Sequence, residues 1–239
     1  MAGRRAGNPF SFGGRVPPAV GGLVAATVAV SLVAVVGERS GLALWRLLAL
    51  DTHAVWRGEV WRLVTWVLLE GEPLNLLFGG LVLWWFGRDL VDAWGERRFL
   101  ATYFGVSAAA GALSCLVALA WPAVGAGRQG GFWAAIDAVI VAWSLLYPYR
   151  QILLFFAVPV SGRVLLWVTV GGTALFALFY GPAPFVPHLL AEGAAWLWVS
   201  WGGPGRFLRR LRMPRFRKRG RFEVIHADRD PDRERRWLN

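Results

Sequence analysis

Cysteine is nearly missing from this 239-residue chain, in which Cys115 stands alone. One thiol cannot close an internal disulfide, so no oxidising compartment is implied. Its place inside an apolar run marks it as a small buried packing residue. Histidine is almost as scarce, with three residues. Zinc takes three or four N, S or O ligands in a tetrahedral array, so any metal centre here would have to be built around a single imidazole. No small-x-small cleavage site follows the first apolar run, 20–36, although Arg4, Arg5 and Arg15 precede it. That run therefore reads as a membrane helix that is retained, not as a signal peptide. No recognisable nucleic-acid-binding module accompanies the basic residues. Neither nucleic acid nor a cofactor is expected.

What the chain has in abundance is apolar surface. Apolar residues make up 56% of it, with 15 Trp and 15 Phe, beyond the usual range of soluble domains. A membrane helix needs about 20 mostly apolar residues, and lipid leaves no other economical way to satisfy the backbone. Six spans can be drawn, at 18–36, 73–94, 98–121, 131–147, 163–181 and 184–201. The expected fold class is an all-α membrane bundle over 18–201, between a short N-terminal segment, 1–17, and a basic tail, 202–239. With the N-terminus in the cytoplasm, 21 of the 26 basic residues fall on the cytoplasmic side, which favours both termini inside. The tryptophans of segment 37–72 suit a partial dip into the outer leaflet. The run 152–156 is too short to cross and is expected to dip in from the inner face or pack along it. Ala134, Ala138 and Ala142 recur every four residues, as do Ala191 and Ala195. Small residues at that spacing let membrane helices approach closely.

Four stretches carry a family resemblance. Trp61-Arg62-Leu63-Val64-Thr65 leads to Phe86-Gly87. Gly95-Glu96-Arg97-Arg98-Phe99 is followed by Tyr103. Gly131-Phe132-Trp133-Ala134 runs through Tyr147-Pro148-Tyr149-Arg150 to Pro159-Val160-Ser161-Gly162-Arg163, and Pro187-His188-Leu189 opens the last span. In order and spacing, over roughly 45–200, they resemble the rhomboid intramembrane serine proteases. The resemblance implies a six-helix fold with a serine in a Gly-x-Ser-Gly motif on the fourth span and a histidine on the sixth. His188 matches that histidine, but Trp133 stands at the nucleophile position. Glu70, Asn75 and Gly79 stand where the family has a His-x4-His-x3-Asn pattern that helps form the oxyanion hole. Indole offers only a donor, and nucleophilic catalysis needs an attacking atom within reach of its base. Loss of one oxyanion donor alone costs about 100- to 1000-fold in rate. Ser107, Ser114 and Ser144 lie on helix bodies, where their hydroxyls are expected to bond the preceding turn.

Asp137 and Glu192 remain in the membrane part, one helical turn beyond Trp133 and His188 respectively. Each ionisable group at mid-depth costs about 2.5–3.5 kcal/mol on insertion scales, so such groups turn inward and find partners. In rhomboids the position matching Asp137 often packs against the histidine. The resemblance thus implies an Asp137–His188 hydrogen bond, with Glu192 nearby or directed to another helix. The cluster could be a structural clasp, a proton- or substrate-responsive site, or a metal site. His53 and His226 fall on opposite sides of the membrane and cannot join it. In the tail, Arg206, Arg209, Arg210, Arg212, Arg215, Arg217, Lys218, Arg219 and Arg221 alternate with apolar residues. Anionic inner-leaflet lipids attract such a segment by about 1 kcal/mol per basic residue. The mixed-charge stretch 228–236 is expected to stay disordered. The resemblance implies an inactive rhomboid-like protein of a bacterial inner membrane that binds client transmembrane helices, admitted between the second and fifth spans. The alternatives are an active rhomboid endopeptidase and a small-solute or ion pathway around Asp137, His188 and Glu192.

Overall fold

The structure is a computed structural model that describes residues 16–154 and 158–202. The basic tail from Arg206 to Arg221, the stretch 228–236 and His226 lie outside the described residues. The chain is mostly helical. Helix α1, Pro18–Arg39, starts on a proline, which is suited to a first helical turn because its missing N–H would be unpaired there. Its buried face carries Leu23, Thr27, Ser31 and Ala34, while Leu32, Val33 and Val36 are exposed. The Thr27 hydroxyl donates to the Leu23 carbonyl at 2.9 Å, and Ser31 donates to the Leu68 carbonyl at 3.0 Å.

Segment 37–72 folds into three short helices, α2 (Leu44–Leu48), α3 (Thr52–Trp56) and α4 (Arg62–Thr65), and a 3₁₀ turn, Trp66–Leu68. Arg62 holds it together. Only 5% exposed, it donates to the carbonyls of Arg46 and Ala49 and pairs with Glu59. Trp66, Val67 and Leu69 enter the core, while Trp56 and Trp61 stay exposed.

Helix α5, Pro73–Trp94, also begins on proline and stops at Gly95, whose φ of +82° turns the chain into α6, Glu96–Ala120. Glycine adopts that angle without the penalty a Cβ imposes. Helix α7, Phe132–Leu146, occupies the centre. It packs against α5, α6, α8 and α9 and against the 3₁₀ turn, and Ala134, Ile136, Ala138, Val141, Ala142 and Trp143 are buried. Helix α8, Gly162–Tyr180, and helix α9, Val186–Ser200, complete the bundle. The most extensive packing is of α7 against α9, where Ala191 and Ala195 are also buried.

Helices α1, α5, α6 and α8 are each long and apolar enough to cross a membrane, and α7 is a shorter apolar helix. The fourth and sixth expected spans are thus 15-residue helices, about 22 Å long at 1.5 Å per residue, short of the roughly 30 Å hydrocarbon core. Being surrounded by other helices, α7 need not match the lipid thickness.

The segment between α7 and α8 is not helical. Strands β1 (Gln151–Leu154) and β2 (Val158–Ser161) pair antiparallel, with Gln151 opposite Ser161 and Leu154 opposite Val158. The bundle is therefore not wholly helical. The hairpin sits beside a polar knot where α5 and α7 end. Asp89 accepts from the indole of Trp143 at 2.8 Å and from Arg150 at 2.9 Å, and the Arg150 guanidinium lies over the rings of Trp143 and Tyr147. The knot anchors the start of α8: the Gly162 N–H donates to the Arg150 carbonyl, and a Cβ on Gly162 would strike the Tyr147 carbonyl oxygen at 2.3 Å.

Candidate functional site

The site lies at the opposite end, where α7 and α9 both begin. Asp137 is in the second turn of α7 and His188 in the first turn of α9. Close packing of the two helices brings them together, with His188 Nδ1 2.8 Å from Asp137 Oδ2. A carboxylate can only accept, so Nδ1 is the donor in this pairing. The pair is not sealed, since the side chains keep 22% (His188) and 14% (Asp137) of their exposure.

Glu192 follows one turn later on α9 and is 3% exposed. Its Oε1 accepts from the Thr173 hydroxyl of α8 at 2.6 Å, and its Oε2 is buried without a hydrogen-bond partner. A polar strip thus crosses α7, α9 and α8. Phe185 flanks it, its ring 5.8 Å from the imidazole and stacked on Phe176.

The first turn of α7 is apolar. Trp133 is half-buried there, and its Nε1 finds no acceptor. The residue before it does more to close the space. Phe132 is 1% exposed, and its ring presses on Gly79 of α5 so closely that a Cβ on Gly79 would lie 2.3 Å from Cε1. Gly131 in turn sits against the ring of Trp66, where a Cβ would come within 2.0 Å. Gly79, the position matching the family asparagine, thus has no room for a side chain, because Phe132 occupies it.

The other matched positions bond elsewhere than to the imidazole. Asn75 donates to Glu72 at 3.3 Å at the start of α5, and Glu70 accepts from the Glu72 N–H at 3.0 Å. Ser107 and Ser114 donate back to the carbonyls of Tyr103 (2.6 Å) and Ala110 (2.8 Å). Ser144 departs from the expectation for it: its hydroxyl is buried and unpartnered. Cys115 is buried and free, and His53 is exposed on α3. Among the described residues no three His, Cys, Asp or Glu side chains are grouped to hold a metal ion.

Chemically, the arrangement is the base half of a catalytic triad. The carboxylate orients the imidazole through Nδ1, as a carboxylate does for a general base. No hydroxyl or thiol bonds that imidazole among the described residues. Sequence reasoning did not reach Thr173; a hydroxyl facing inward four residues after Thr169 in an apolar helix was its only signal.

A comparison with curated proteins finds no match. The family model for the Rhomboid domain matches residues 57–200, from the end of α3 through the last turn of α9. That interval contains all the elements that hold Asp137, Thr173, His188 and Glu192. The chain belongs to the rhomboid family and is a multi-pass integral membrane protein.

Proposed function

We propose that this protein binds transmembrane helices of other membrane proteins without cleaving them. The observation that supports this best is the surroundings of His188. Its Nδ1 is engaged by Asp137, and among the described residues no hydroxyl or thiol stands as its partner. Peptide hydrolysis through an acyl-enzyme needs a nucleophile and donors for the developing oxyanion. At the matching positions stand Trp133 and Gly79, and Phe132 fills the space beside Gly79. What is left is a bundle with lipid-exposed faces, including Leu74, Leu77 and Phe78 on α5 and Leu175, Phe176 and Phe179 on α8. A client helix would lie between these two helices. The protein sits in a bacterial cytoplasmic membrane with both termini inside, its basic tail on the anionic leaflet.

Site-specific photocrosslinking tests the reading. A photoreactive residue at Phe78 or Phe179, facing lipid, should capture discrete partner membrane proteins at their full length. Capture of cleaved partners, with His188→Ala restoring the full-length species, would restore the protease reading.

A further inference from the structure

We infer that the client is selected by charge: the polar strip of α7 and α9 receives a transmembrane helix bearing a lysine or arginine within the membrane. This rests on the client-binding reading and names the class of client. Asp137 bonds His188 and Glu192 lies one turn further along α9, and among the described residues His188 is the only basic side chain bonded to either. Helices α7 and α9 contain no Lys or Arg, and the sole basic residue of α8, Arg163, lies at its far end.

The basic residues at this end of the bundle are spoken for or remote. Arg46 pairs with Glu38, Arg62 with Glu59 and Arg128 with Asp51. Arg39 and Arg57 are exposed on α1 and after α3. Among the described residues no lysine or arginine is bonded to the strip.

A second observation points the same way. Glu192 is 97% buried, and its Oε2 has no donor, although Oε1 is held by Thr173. A buried carboxyl oxygen without a partner costs about 1–3 kcal/mol, more when charged, which a cationic donor from outside would recover. Asp137 and His188 are the members of the strip whose side chains keep some exposure. A lysine or arginine on a client helix is costly in lipid for the same reason as the strip's own carboxyls, about 2.5–3.5 kcal/mol. Each therefore offers the other a partner that hydrocarbon cannot.

The test uses the full-length protein reconstituted in phosphatidylcholine vesicles with fluorescent leucine-rich helices of about 20 residues, read by energy transfer. The helices carry a central Lys, Leu or Asp. The Lys helix should associate about tenfold more tightly than the Leu helix, the equivalent of one charged hydrogen bond, and the Asp helix should bind least. Asp137→Asn and Glu192→Gln should each abolish the Lys preference, so that the Lys and Leu helices associate alike. Glu192→Gln keeps a carbonyl for Thr173, so it serves if Asp137→Asn fails to fold. Equal association of the Lys and Leu helices, or a Lys preference that survives both variants, would overturn the inference and leave client binding intact. Failure of every helix to associate would instead defeat the client-binding reading itself.

Discussion

Replacing Gly79 with alanine should destabilise the protein, even though alanine is the better helix former. The added methyl would lie 2.3 Å from Cε1 of Phe132, 3.0 Å from Cζ and 3.2 Å from Cδ1. Carbon atoms are comfortable at about 3.5–4.0 Å, so the ring or a helix must yield by roughly 1 Å. Phe132 has little freedom to do so. It is 1% exposed, and the residue before it is already pressed against Trp66. Overpacking a filled core costs about 1–3 kcal/mol, against a gain of about 1 kcal/mol for exchanging glycine for alanine inside a helix. The balance is a net loss of about 1 kcal/mol, and asparagine at the same place should lose more. Thermal unfolding in detergent micelles reads this as a lowered midpoint. A double-mutant cycle then tests the cause. Phe132→Ala removes the obstructing ring, so Gly79→Ala should cost less in that background, with a coupling energy of about 1 kcal/mol. Gly79→Ala as stable as the parent, or strict additivity with Phe132→Ala, would refute the reasoning.

Trp133→Ser should not produce a protease, because Gly79 and Phe132 still deny the oxyanion its donor; fluorophosphonate labelling of that variant should stay at background. Arg62→Ala should lower stability by roughly 2–3 kcal/mol, since it orphans two backbone carbonyls and the Glu59 carboxylate. Chemical denaturation checks this, and a change under about 0.5 kcal/mol would contradict the role given to Arg62. Asp89→Ala leaves the Trp143 indole without its acceptor and frees Arg150. Proteolysis at the 151–161 hairpin should accelerate, and an unchanged rate would show that the knot does not anchor it. Cys115, 2% exposed, should resist maleimide in micelles until the bundle is unfolded.

Much of the helical frame could be read from the chain because lipid imposes few rules and apolar length states them. The long apolar runs and their leading prolines place α1 and α5, and the glycine before Glu96 places the turn into α6. The four-residue alanine repeats of α7 and α9 anticipate their close packing, since small side chains at helical spacing have one strong use in membranes. The same spacing places Asp137 and Glu192 on inward faces, as an ionisable group in lipid must turn inward. The hairpin was not legible. Residues 152–154 are as apolar as a membrane segment, and what fixes them as strand is pairing with 158–160 and anchorage on Arg150 and Tyr147, a tertiary matter. The closure over Gly79 was also hidden. Sequence drew notice to Trp133 at the nucleophile position, whereas the ring on Gly79 belongs to its neighbour Phe132. Which of two adjacent aromatics faces inward depends on how α7 is rotated about its axis, and that is set by all its neighbours together. Thr173 was missed for a similar reason, because a single hydroxyl in an apolar helix is usually satisfied by its own preceding turn.

Catalytic silence is most directly measured by mass spectrometry of a transmembrane substrate incubated with the reconstituted protein, beside an active rhomboid as the positive control. The account predicts that the substrate stays intact with this protein over a period in which the control consumes it. Appearance of a cut within the substrate's membrane segment, lost on His188→Ala, would contradict it.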